Sequence, residues 1–128
     1  MMKFGCAELI KKSKDNMDVA IELADDKKFN AAANRLYYSL FQVAKAYAVS
    51  KGEMTIGDGE DVHRKIRNIV TKLLEAEGRF EDVYEDALAL RKKADYTPND
   101  VTGNDLDVNF RTKASDLREQ LVRFAESA

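Results

Sequence analysis

Arg91, Asp95 and Tyr96 stand close together in the segment Leu90-Arg91-Lys92-Lys93-Ala94-Asp95-Tyr96, and Arg35, Tyr38 and Ser39 do so in Asn34-Arg35-Leu36-Tyr37-Tyr38-Ser39. Guanidinium groups present a planar fork of donors that meets phosphate two-pronged. Tyrosine offers a face for a base to stack on and a hydroxyl for hydrogen bonding. Arg35, Tyr38, Arg91, Asp95 and Tyr96 in one open cleft would therefore bind phosphate. A structural alternative stands beside this. Arg91 and Asp95 are four apart, the spacing of an intrahelical ion pair, which is worth only a few tenths of a kcal/mol when exposed. Buried charges need partners, so Asp95 could instead fix Arg35 or Arg91, with Tyr38 or Tyr96 adding a hydrogen bond. Arg91-Lys92-Lys93 with Arg35 and Lys45 reads equally as a local basic patch or as cations suited to a helix C-terminus.

His63 is the only histidine, which excludes a histidine-rich metal site. It is expected on the surface at the start of a helix, with a general acid–base role as the alternative. A di-metal bundle site needs Glu-x-x-His motifs on two helices, which a single histidine cannot supply. Glu81, Asp82, Glu85 and Asp86 read as a solvated acidic face, because nitrogen ligands are missing around them. Gly57-Asp58-Gly59 lacks both the Lys-Ser/Thr end and the preceding strand of a phosphate loop. Neither metal nor cofactor is expected. Cys6 is the single cysteine and cannot form an internal disulfide; it sits on an apolar face and reads as core.

The elements that would position these groups are helical. The chain of 128 residues fits one domain spanning 1–128; 45% of residues are hydrophobic, 34% are charged, and one proline and six glycines leave room for long helices. A net charge of -2 argues against a broad surface for duplex DNA. No apolar run is long enough to span a bilayer, and no signal-peptide core opens the chain, so a cytoplasmic location is expected.

The helical period predicts a first helix from about Cys6 to Asp26. A second runs from about Asn30 to Gly52, with Phe29, Ala32, Ala33, Leu36, Tyr37, Leu40, Phe41, Ala44 and Ala48 on an unusually wide apolar face. A face that wide needs neighbours on several sides, so this helix is expected at the centre. Its polar stripe is Arg35, Ser39, Gln42 and Lys45, with Tyr38 beside it. After a glycine-rich loop, a third helix starts at Asp58 or Glu60-Asp61 and stops at Gly78. A fourth runs from Phe80 to Ala94, with Tyr84 among its apolar contacts. Asp95–Asn104 reads as a loop broken by Pro98, and a fifth helix begins near Asn104 or Asp105 and ends about Glu126. The expected fold is all-α: an antiparallel four-helix up-and-down bundle with an additional short helix, five helices in all.

Ala-x-x-Arg-x-Tyr-Tyr-x-x-Phe at 32–41, followed by Arg91-x-x-Ala94-Asp95-Tyr96, resembles the HEPN family in its short, stand-alone prokaryotic branch. That branch often carries a histidine where His63 stands. The resemblance covers nearly the whole chain. It implies a homodimer with a cleft lined from both subunits, and RNA or nucleotide as ligand. It also implies a small nucleotidyltransferase as partner in a toxin–antitoxin pair, with Tyr96 as a conceivable acceptor of a transferred nucleotidyl group. Nuclease members are metal-independent and carry an Arg followed four to six residues later by His; the arginine would hold the scissile phosphate and the histidine would shuttle the proton. Here Arg91 is followed by Asp95 and Tyr96, with no histidine after it. The expected function is therefore binding of RNA or a nucleotide with little or no catalysis. The alternatives are a ribonuclease toxin using Arg91 with Tyr96 or His63, and a purely structural dimeric interaction module.

Overall fold

Helix α2 (Phe29–Ser50) is the axis on which the other elements pack. Twelve of its 22 residues are buried, and it touches each of α1 (Cys6–Asp25), α3 (His63–Leu73), α4 (Phe80–Tyr96) and α5 (Val108–Glu126). The computed structural model describes residues 3–57, 63–74 and 80–127, and among them every regular element is helical. The small residues of α2 explain its position. Ala32, Ala33, Ala44, Ala46 and Ala48 are at most 1% exposed, so neighbouring backbones approach closely between Leu36, Leu40 and Val43. Each fully buried aliphatic side chain of this size contributes about 1.5–3 kcal/mol.

The α1–α2 hairpin is antiparallel, with Cys6 opposite Ala46 and Ser13 opposite Ser39. The Cys6 thiol lies 3.6 Å from the Ala46 carbonyl; Ser13 Oγ donates to the Ser39 carbonyl at 2.8 Å, and Ser39 Oγ to the Ser13 carbonyl at 2.6 Å. Burial raises the Cys6 thiol's pKa, partly opposed by Lys3 and helped by Glu8, which suits a core residue. α2 ends where Gly52 takes φ 77°, and the Glu53 amide reaches back to the Ala48 carbonyl at 3.0 Å. Such a left-handed stop is strained for any residue with a Cβ.

Two helix bounds differ from the periodicity. α4 continues through Asp95 and Tyr96, so Asp95 lies one helical turn beyond Arg91. α5 begins at Val108, because the Asp107 carboxylate caps it by accepting from the Phe110 amide at 2.8 Å. The residues just before are held in a turn in which Asp105 accepts from the Thr102 amide at 3.0 Å. The expected acidic start of the third helix and its stop at Gly78 lie outside the described residues.

Candidate functional site

The polar stripe of α2 divides between two neighbours. Arg35, Ser39 and Gln42 face α1: Arg35 donates to Asn16 Oδ1 at 3.0 Å, and Asn16 donates to Gln42 Oε1 at 2.9 Å. Asn34, Tyr37, Tyr38 and Phe41 occupy the opposite edge, facing α3 and α4. On α4, Tyr84, Leu88, Arg91 and Asp95 recur at the helical period and form one stripe towards them.

Arg91 is the centre of this face. Its side chain is only 15% exposed, and its guanidinium carbon lies 5.4 Å, 5.1 Å and 5.7 Å from the ring centroids of Tyr37, Tyr38 and Tyr96. Cation–π contacts of this kind contribute about 0.5–1 kcal/mol each at accessible sites. Arg91 Nε stands 3.5 Å from Asp95 Oδ2, and Nη2 donates to the Tyr96 hydroxyl at 3.3 Å. Asp95 also accepts from Asn34 Nδ2 at 3.0 Å. The approach to Asp95 is ionic without hydrogen-bond alignment, and Nε is left as a buried donor with no hydrogen-bond partner. Tyr96 itself is 71% exposed.

His63, the first described residue of α3, is half-buried rather than superficial. Its ring stacks on Phe41 at 4.4 Å and on Tyr37 at 5.5 Å, and its Nδ1 is hydrogen-bonded to the Tyr37 hydroxyl. That hydroxyl lies 3.1 Å from the hydroxyl of Tyr84, which is 0% exposed. Burial pushes the Tyr37 phenol up to about 12, against the opposing pull of its hydrogen bond to Tyr84 and of Arg91. Burial likewise raises Tyr84, and the nearby Tyr37 adds to the effect. Both phenols are therefore neutral at any physiological pH.

His63 and Tyr84 open onto a cavity of ≈ 310 Å³ lined by His63, Arg64 and Arg67 from α3 and by Tyr84, Glu85, Leu88, Arg91 and Lys92 from α4. Glu85 is the single acid of that wall and is paired with Arg67 at 2.8 Å. Three cationic side chains beside that pair make this wall locally positive on a protein of net negative charge. A larger cavity of ≈ 430 Å³ lies between α4 and α5, but its wall balances Lys113 and Arg123 against Asp82 and Asp116 and has no aromatic side chain. Size favours the second cavity; chemistry favours the first.

Tyr38, Arg91, Asp95 and Tyr96 thus meet as neighbours, and His63 lies on the same face. Arg35 is directed to α1. Lys93 turns away to Asp105 at 2.9 Å, where its charge and the Thr102 amide hold the Asp105 carboxyl below the usual range. Arg64, Arg67, Tyr37 and Tyr84 were not legible as site residues. For the tyrosines a signal existed: a tyrosine on an apolar helix face must find a hydrogen-bond partner, and two such faces carry one each. Among the described residues no three His, Cys, Asp or Glu side chains group as metal ligands, and no helix is long and apolar enough to cross a membrane.

The sequence model of the HEPN domain matches residues 6–127. The chain belongs to the HEPN family. Membership suggests an RNA-related or nucleotide-binding role for this helical domain. No curated protein matches the chain. In this HEPN domain the histidine near the arginine comes from a different helix: His63 of α3 and Arg91 of α4 line one cavity, although no histidine follows Arg91 in sequence.

Proposed function

We propose that this HEPN protein binds RNA or a nucleotide through the α3–α4 cavity, with little or no catalysis. The observation that carries this is the setting of Arg91: a guanidinium ringed by Tyr37, Tyr38 and Tyr96 at a cavity that also holds Arg64, Arg67 and Lys92. Phosphate would meet the cations, and a base would stack on the exposed Tyr96. Asp95 works against strong binding, since a carboxylate 3.5 Å from Nε competes with phosphate for the same charge. The remaining parts of the proposal are a homodimer acting in the cytoplasm with a nucleotidyltransferase in a toxin–antitoxin pair. Co-purification with an adjacent nucleotidyltransferase gene product tests that pairing.

A second reading, a metal-independent ribonuclease, is favoured by one observation. His63 and Arg91 line the same cavity, so a proton-transfer group and a phosphate-holding group could reach one scissile phosphate. The deciding experiment is incubation of the purified protein with a labelled, structured RNA in excess EDTA, with Arg91→Ala alongside. Retention of intact RNA by the wild type and release by the variant supports binding. Cleavage that survives EDTA and is lost in the variant would replace that reading with the nuclease. Absence of both would leave a dimeric scaffold.

A further inference from the structure

The pair Tyr84–Tyr37 does more than fill the core beneath His63. Tyr84 is fully buried, and among the described residues its hydroxyl has one hydrogen-bond partner, the Tyr37 hydroxyl at 3.1 Å. A buried donor without an acceptor is costlier than an acceptor without a donor, so Tyr84 spends its proton on Tyr37. Tyr37 then accepts from Tyr84 and has its own proton to place. Among the described residues its other hydrogen-bond partner is His63 Nδ1. The proton direction is therefore fixed along the chain: Tyr84 donates to Tyr37, and Tyr37 donates to Nδ1. A neutral imidazole that accepts at Nδ1 carries its proton on Nε2.

We infer that Tyr84 and Tyr37 are positioning residues that hold neutral His63 in the Nε2–H tautomer, so that it donates a hydrogen bond to a phosphate oxygen in the α3–α4 cavity. Phe41, stacked at 4.4 Å, fixes the plane of the ring. The cavity then combines a directional neutral donor with the charges of Arg64, Arg91 and Lys92. The inference rests on the binding proposed above and names the form of His63 that serves it. It also makes Tyr84, remote in sequence and closed to solvent, a determinant of the site.

The single histidine makes the test unusually clean. Long-range proton–nitrogen NMR spectra of the nitrogen-labelled protein, taken above the pH at which the imidazole titrates, contain signals from one ring only. The expected result is a bare Nδ1 and a protonated Nε2 in the free wild type. In Tyr84→Phe, Tyr37 can turn and accept, so both tautomers are expected to appear. Tyr37→Phe should shift the Nδ1 resonance as its hydrogen bond is lost, and it keeps the ring volume should the hydroxyl matter for folding. A proton on Nδ1 in the wild type, or an unchanged tautomer population in Tyr84→Phe, overturns the inference. Binding is read separately, by anisotropy of a fluorescein-labelled single-stranded ribo-oligonucleotide. His63→Gln places an amide donor near the Nε2 position and is expected to bind more tightly than His63→Asn. His63→Asn places its amide near Nδ1 and is expected to weaken binding about fivefold, the net worth of one hydrogen bond. Equal losses in the two variants overturn the donor role. Wild type that shows the Nε2–H form but binds no oligonucleotide overturns the proposed function and the donor role together, leaving only the tautomer assignment standing.

Discussion

Arg91→Ala is the most informative single change, because the structure fixes what it removes. One charge-assisted hydrogen bond to phosphate is worth about 1.5–3 kcal/mol, or about 10- to 150-fold in affinity. Asp95 already takes part of that charge at 3.5 Å, so the lower part of the range, about 10- to 30-fold, is expected. Loss of one cation should also lower the magnitude of the salt slope for single-stranded RNA by about 0.7. Three ring contacts disappear as well, which lowers stability by about 1.5–3 kcal/mol given their individual worth; a thermal melt separates this from the binding effect. Arg91→Lys is the companion. It keeps the charge and thus the salt slope, but loses the fork and the flat stacking surface, so affinity falls while the slope stays. Anisotropy titrations of a labelled single-stranded RNA at several salt concentrations supply both numbers. A folded Arg91→Ala protein that binds as tightly as wild type, with the same slope, would refute the placement of phosphate at this guanidinium.

Asp95→Asn should tighten RNA binding two- to fivefold, the effect of releasing a half-exposed ion pair, as measured in the same titration. Arg35→Ala should leave RNA affinity unchanged, because its guanidinium is engaged with Asn16 across the α1 interface; a loss like that of Arg91→Ala would bring Arg35 into the site. Ser39→Ala removes a buried hydrogen bond at 2.6 Å and should lower stability by about 1 kcal/mol in urea unfolding, without affecting binding. Alkaline titration followed by phenolate absorbance should show Tyr37 still neutral at a pH where exposed tyrosines ionise, since its pKa is raised from 10.0 to about 12. Folding favours the protonated phenol, so that stability is whole below about pH 10 and is lost as the pH rises through about 12. Tyr37→Phe should blunt this alkaline loss.

Most of the fold was legible because the signals are local. The wide apolar face of α2 demanded neighbours on several sides, and it has them. Gly52 ended the helix by a backbone need that no other residue meets as easily. The start of α5 was misplaced because Asn104 and Asp105 also look like helix openers; the true cap, Asp107, is distinguished by its bond to the Phe110 amide. The candidate site was legible only where its members share a helix. Arg91, Asp95 and Tyr96 sit within two turns of α4, and spacing predicts their contact. The partition of the α2 stripe was not readable, since Arg35 and Tyr38 are three apart yet turn to α1 and α4. His63 looked superficial because polar residues at helix starts usually are. Its burial depends on Phe41 and Tyr37, contacts that only the packing of α3 onto α2 creates.

Tyr84 belongs both to the interior of the bundle and to the cleft, whereas Arg64 and Lys92 touch only the cleft's outer wall. The two kinds of residue are therefore under unequal constraint as the sequence drifts. A change at Tyr84 injures the bundle and the cleft at once, so it is purged even where ligand binding is dispensable. A change at the outer cations leaves a sound bundle whose cleft has merely lost positive charge. Domains built this way should decay from the rim inwards, first surrendering affinity and last surrendering shape. Intact helical scaffolds with silent clefts are the residue such a history would leave behind.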